Sequence, residues 1–293
     1  MKISRRDFLA WTVAAGVALN VEFNLDHVNN VLAAETDPPI IWIQGLGCSG
    51  CTISTLNVTN PTTIDNVLLN KISMKYNSTL MTASGDLAMQ TLDQSATLYK
   101  DQFILVIGAV PTGASGNYCV IGEINGVPLT MQQAVLKYGP MAKYVVAVGT
   151  CASFGGVSAS GANSTGCQSV KTILTGKTTN PIVNLPSCPV HPTVLIQSLL
   201  DLILIGNPAL DSNNRPTKYY GATVHNTCPR KGTGNASQIG SATGCFLSLG
   251  CNGTKTDNVC TSMKWNNGQS WCMNVNYPCI GCSNPTFPTN PLL

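Results

Sequence analysis

From Pro38 to about Leu195 the chain alternates short apolar runs with longer mixed stretches. Five runs, Ile40–Gln44, Ile72–Tyr76, Phe103–Gly108, Tyr144–Val148 and Ile182–Leu185, are rich in Ile and Val. They show little polar alternation, as parallel strands buried on both faces do. Between them Ala88–Tyr99 and Thr130–Tyr138 carry helical patterns, and Val194–Gly206 predicts a helix that closes this part of the chain. Strands alternating with helices predict an α/β fold, a doubly wound parallel sheet over residues 38–206. Beyond Asn207 the pattern stops. Residues 207–293 are rich in Asn, Gly, Thr and Cys with little periodic hydrophobicity, so they predict an irregular C-terminal domain that cannot easily build its own core.

Cysteine placement changes that picture. Seven of the thirteen cysteines fall after Asn207, where bound metal can stand in for a core. In the first part, three predicted strands run straight into cysteine loops. Ile40–Gln44 leads to Cys48 and Cys51, Tyr144–Val148 to Cys151, and Ile182–Leu185 to Cys188. Open α/β sheets bind ligands beyond the carboxyl ends of their strands, so these four cysteines are expected to share one site. Four thiolates suit a tetrahedral zinc or a [4Fe–4S] cluster, and the spacing alone leaves both open. A second set is His225, Cys228, Cys245 and Cys251. A third is Cys260, Cys272, Cys279 and Cys282, whose terminal C-x-x-C looks ferredoxin-like. Cys119 and Cys167 are left over as plain thiols, and His27 and His191 read as structural.

Charge excludes some functions. Only 10% of residues are charged, the net charge is +3, and no Lys/Arg stripe is present, so nucleic acid is not an expected partner. Ser4-Arg5-Arg6-Asp7-Phe8-Leu9, followed by an apolar stretch from Ala10 to Leu19 and small residues at Ala33 and Ala34, reads as a twin-arginine export signal over residues 1–34. That route exports proteins already folded, which suits a cofactor loaded in the cytoplasm, and it predicts a periplasmic or outer-face location. The longest later apolar run, Val194 to Ile205, is far short of the ~20 residues a membrane span needs, so no transmembrane span is expected.

Together these motifs resemble the small subunit of a [NiFe] hydrogenase over nearly the whole chain. The opening run is Trp42-Ile43-Gln44-Gly45-Leu46-Gly47-Cys48-Ser49-Gly50-Cys51. Val148-Gly149-Thr150-Cys151-Ala152-Ser153-Phe154-Gly155-Gly156 and Pro186-Ser187-Cys188-Pro189 follow. His225-Asn226-Thr227-Cys228-Pro229-Arg230, Gly250-Cys251-Asn252-Gly253 and Cys279-Ile280-Gly281-Cys282 complete the set. The resemblance implies three clusters that relay electrons. The proximal cluster would lie on Cys48, Cys51, Cys151 and Cys188, the distal on His225, Cys228, Cys245 and Cys251, and the medial on Cys260, Cys279 and Cys282. It also implies an obligate large-subunit partner holding a Ni–Fe centre, and a cytochrome or other carrier beyond the distal cluster.

Cys272 stands where many members have proline and a [3Fe–4S] medial cluster; a fourth thiolate there predicts [4Fe–4S], as in the nickel–iron–selenium branch. Oxygen-tolerant members carry extra cysteines where this chain has Gly50 and Gly156, so an ordinary proximal [4Fe–4S] cluster is expected. The stretch Pro229 to Gly244 departs from the pattern in being small and polar. Two other readings differ in kind. A relay subunit like that of respiratory complex I would share the strand-end cysteines but lack the C-terminal sets. A disulfide-stapled secreted protein would have to leave at least one of thirteen cysteines unpaired.

Overall fold

The computed structural model describes residues 37–113 and 118–288. The expected leader over residues 1–34 lies outside them. The strands, in chain order, are β1 (Pro39–Gly45), β2 (Ser73–Asn77), β3 (Ile104–Ala109), β4 (Val120–Ile124), β5 (Val127–Thr130), β6 (Tyr144–Val148) and β7 (Ile182–Leu185). Five of them form one parallel sheet in the order β2-β1-β3-β6-β7. With the β4–β5 hairpin set aside this is the 2-1-3-4-5 order of flavodoxin-like sheets. Each predicted strand lies within one residue of its observed position at either end.

The strands are apolar on both faces because both faces are covered. Ile41, Ile43, Leu105, Ile107, Val145 and Ala147 point into one core, with Met89, Leu92, Met131, Val135 and Leu174 against them. Ile40, Trp42, Ile104, Val106, Val146 and Val148 point into the other, covered by Val194, Leu195, Leu199 and Leu202. The two-residue alternation of a strand therefore feeds two buried layers. The helices that supply these layers include α1 (Gly50–Leu56), α2 (Ile64–Asn70), α3 (Gly85–Leu98), α4 (Met131–Tyr138), α5 (Gly149–Phe154), α6 (Val170–Leu174) and α7 (Pro192–Leu204). A reciprocal capping box starts α4: the Gln133 N–H donates to Thr130 Oγ1 at 3.2 Å, and the Thr130 N–H donates to Gln133 Oε1 at 2.8 Å.

The β4–β5 hairpin was not among the predicted elements. Its turn is Asn125-Gly126, with φ of 54° and 75°, the left-handed pair that a two-residue type I′ turn requires. At the other end of the sheet, Gly45 closes β1 against β3. Its φ is +69°, and a Cβ there would sit 2.1 Å from the Ala109 carbonyl oxygen. This close approach aims the chain from β1 into the loop that carries Cys48.

After α7 the described residues add no strand to the sheet. They form short turns and one-turn helices, among them α8 (Thr217–Tyr220), α9 (Val224–Thr227) and α10 (Cys260–Met263). Their own apolar cluster is small, and two of its seven buried members are Cys260 and Cys279. A buried ion pair ties the segment down. Arg215, whose side chain is 5% exposed, reaches Asp211 and Asp257, each at 2.7 Å. The Tyr220 hydroxyl donates to the Pro186 carbonyl at 2.8 Å and fastens the region to the end of β7.

Candidate functional site

The first four cysteines meet where the strand ends predicted. Cys48 lies three residues past the end of β1 and Cys51 in the first turn of α1. Cys151 lies in α5, directly after β6, and Cys188 three residues past β7. All four line one cleft, with Trp42, Gln44, Ala109, Val148 and Pro189 among its other walls. Backbone amides point at the sulfurs: Gly50 N–H donates to Cys48 Sγ and Val190 N–H to Cys51 Sγ, each at 3.4 Å. Burial pushes the Cys51 and Cys188 thiols up to about 12, and the neighbouring cysteines add to the effect. Thiolates can exist here only against a strong positive charge.

The second set also shares one cavity. His225, Cys228, Cys245 and Cys251 line one space with Arg230, Phe246, Trp271 and Cys279. Thr223 caps α9, accepting from the Asn226 N–H at 3.3 Å, and so sets His225 in the first turn. Arg230 fixes the loop beyond Cys228. It donates to the Ser241 carbonyl at 2.9 Å and to Asn276 Oδ1, and its guanidinium lies 4.7 Å from the Phe246 ring centre. The polar stretch from Pro229 to Gly244 is thus held from one central cation.

The third set is more deeply enclosed. Cys260 and Cys279 are buried, Cys272 and Cys282 half-buried. Burial pushes the Cys260 thiol up to about 12, with Cys282 and Cys272 as neighbouring groups that raise it further, while the Trp265 side chain donates to its sulfur. Burial raises Cys279 too, and Cys272 and Cys282 again add to it.

Direct contacts join the three sets. The Thr150 hydroxyl, one residue before Cys151, donates to the Cys282 carbonyl. The same oxygen accepts from the Ser187 N–H at 3.0 Å, one residue before Cys188. At the other side of the third set, the Cys279 N–H donates to Cys251 Sγ at 3.4 Å. Thr150, Ser187, Trp265 and Arg230 were not singled out from the sequence. Thr150 and Ser187 adjoin cysteines of the first set, which is a usable signal; nothing local marks Trp265 or Arg230.

Cys119 and Cys167 join none of the three sets. Cys167 is buried and accepts a contact from Thr165 Oγ1 at 3.6 Å, and Cys119 packs beside the sheet core. His191 is 4% exposed, bonds the Lys264 carbonyl through Nε2 and meets the Trp265 ring edge-on at 4.9 Å. His27 lies outside the described residues. Among the described residues, no three His, Cys, Asp or Glu side chains come close enough to hold a single metal ion. Thiols spread around a cavity fit the separate corners of a cubane cluster better than one tetrahedral zinc.

Comparison with known proteins gives two family matches along the chain. Residues 48–202 match the family described as NADH ubiquinone oxidoreductase, 20 kDa subunit. Residues 220–292 match the C-terminal family of NiFe/NiFeSe hydrogenase small subunits. The periplasmic [NiFeSe] hydrogenase small subunit of Desulfomicrobium baculatum is 33% identical over 98% of this chain and 97% of its own length. The crystal structure of a reduced, active Ni-Fe-Se hydrogenase from that organism superposes with a TM-score of 0.82 at 34% identity, over 87% of this chain and 97% of the other. The recombinant [NiFeSe] hydrogenase of Desulfovibrio vulgaris Hildenborough gives a TM-score of 0.81 at 37% identity, over 86% and 95%.

The chain belongs to the NiFe/NiFeSe hydrogenase small subunit family, and so to a hydrogenase enzyme complex. The complex I-like reading accounts for the sheet alone, since the C-terminal cysteine sets fall in the hydrogenase match. No helix among the described residues is long and apolar enough to cross a membrane.

Proposed function

We propose that this chain is the electron relay of an exported hydrogenase. Three [4Fe–4S] clusters would connect a Ni–Fe centre in an obligate large-subunit partner with an external acceptor. Cys48, Cys51, Cys151 and Cys188 hold the proximal cluster, within the sheet domain of residues 38–206. In residues 207–293, Cys260, Cys272, Cys279 and Cys282 hold the medial cluster, and His225, Cys228, Cys245 and Cys251 the distal one. The leader over residues 1–34 sends the loaded protein out through the twin-arginine route.

The clusters supply one-electron storage at potentials set by charge, hydrogen bonds and burial. The chain's own residues do the rest. Amides of Gly50, Val190 and Cys279 donate to ligand sulfurs and stabilise thiolate charge. Trp42, Val148, Phe246 and Trp271 line the cavities with apolar surface that limits water. Hydrogen is split or formed in the partner, so no acid or base of this chain enters the chemistry.

The observation that carries this reading is the serial contact of the three sets. The medial Cys282 touches Thr150, Ser187 and the Cys188 backbone, and the medial Cys279 bonds the distal Cys251. The test is anaerobic co-purification with a large-subunit partner, followed by iron and acid-labile sulfide analysis and H2-dependent dye reduction. A brown heterodimer with H2-dependent turnover is expected. A stable colourless monomer with near-zero iron overturns the proposal.

A further inference from the structure

Charge is unevenly distributed along this chain. Described residues 37–113 and 118–211 hold seven Lys and Arg against eight Asp and Glu, a net −1. Residues 212–293 hold six, Arg215, Lys218, Arg230, Lys231, Lys255 and Lys264, against Asp257 alone, a net +5. Two of the six are neutralised locally: Arg215 by Asp211 and Asp257, and Lys218 by Asp201. The other four have no acidic partner among the described residues, and three of them are Arg230, Lys231 and Lys255.

These three surround the distal set. Arg230 lines its cavity. Lys231 is exposed and its Nζ donates to Asn226 Oδ1 at 3.3 Å, on the residue after His225. Lys255 is exposed at the end of the turn Asn252–Lys255. In that turn a Cβ on Gly253 would lie 3.4 Å from Cys251 Sγ and 3.5 Å from the His225 amide nitrogen. Leu247, next to the cavity-lining Phe246, is 47% exposed. The surface over His225 therefore combines the exposed Lys231 and Lys255 with the apolar Leu247, while the nearby carboxylate of Asp257, bridged to Thr223, is held by Arg215.

Resting on the relay function above, we propose that this face docks an acidic one-electron carrier protein, of the ferredoxin or flavodoxin type, rather than a lysine-rich cytochrome. Complementary charge steers such encounters and raises their rate, while like charges suppress the wrong partner. Three cations are fewer than the four to eight of a typical lipid-headgroup patch, which favours a protein over a membrane surface. The balance is simple. One H2 split in the partner yields two protons and two electrons, and each oxidised carrier accepts one electron, so two carriers are reduced per H2.

The test uses the loaded heterodimer. H2-driven reduction is measured for an acidic plant-type [2Fe–2S] ferredoxin and for a lysine-rich multihaem cytochrome, at low salt and at about 0.5 M salt, where screening is nearly complete. For the wild type, kcat/KM is expected to favour the ferredoxin and to fall about tenfold or more with salt. Lys231→Glu with Lys255→Glu is expected to lower the ferredoxin value by a similar factor and to raise the cytochrome value. The Lys→Gln pair is expected to fall between. A wild type that prefers the cytochrome overturns the proposal. So does a ferredoxin kcat/KM that the reversal leaves within about twofold. A third contrary result is a reversal that abolishes binding to phosphatidylglycerol vesicles while carrier kinetics stay unmoved. Iron content of each sample separates this failure from failure of the relay function itself, which would show as absent clusters.

Discussion

The hydroxyl of Thr150 donates to the carbonyl of Cys282, 132 residues further along the chain. One residue from Thr150 is Cys151, at the end of the sheet, and Cys282 belongs to the irregular C-terminal set. A single buried side chain thus locks two ligand sets together, because Thr150 also accepts from the Ser187 N–H at 3.0 Å.

Thr150→Val keeps the shape and removes both hydrogen bonds. It leaves the Cys282 carbonyl and the Ser187 amide short of a partner, at a cost of about 1–3 kcal/mol for a buried group. The expected outcome is a lower unfolding midpoint with the same iron content in freshly purified protein. Thr150→Ser should recover most of the loss. Equal midpoints for Val and wild type would show that the link is idle.

Gly156 and Gly50 separate conformational from simple steric demand beside the proximal set. Gly156 has φ +53°, and a Cβ there would lie 2.8 Å from the Cys151 amide nitrogen. Gly50 lacks the positive φ, and its nearest contact would be Cys48 Sγ at 3.0 Å. Gly156→Ala is therefore expected to destabilise by about 1–3 kcal/mol and to disturb the proximal cluster signal. Gly50→Ala should cost less. Chemical denaturation of both variants checks the order, and the reverse order would contradict the local geometry.

His191 makes a pH-dependent contribution. Burial lowers its pKa below 6.5, so the unfolded chain binds a proton more readily than the folded one. Stability is then fully present above 6.5 and is lost as pH falls through 6.5 toward the lowered folded value. His191→Phe should flatten this part of the stability profile between about pH 5 and 7. A variant whose profile keeps the wild-type slope there would place the titration elsewhere.

Much of this was legible in the sequence because the sheet is buried on both faces. Strands such as Tyr144–Val148 have no polar face, so their apolar runs stand out against any neighbour. The same strands ended at cysteines, and the strand-end rule for open sheets then gathered Cys48, Cys51, Cys151 and Cys188 before any coordinates. The hairpin at Asn125-Gly126 was missed because β4 and β5 are largely exposed and carry no strong apolar run. The contacts of Trp265 with Cys260 and of Arg230 with its loop were illegible for another reason. They depend on the path of a segment with no periodic structure, which tertiary contacts alone determine.

In the proposed relay, Cys272 is the residue on which cluster type would turn. It is half-buried, beside Cys279 and Cys260, and burial raises its thiol. Cys272→Pro is expected to convert the medial site to a three-iron cluster, visible as a new EPR signal in the oxidised complex.

The most direct measurement is EPR and Mössbauer spectroscopy on the oxidised wild-type heterodimer, with iron counted per small subunit. Three four-ligand sets predict about twelve irons and no stoichiometric [3Fe–4S] signal. A stoichiometric [3Fe–4S] signal, with about eleven irons, would contradict the assignment of Cys272 and with it the account of three four-ligand sites.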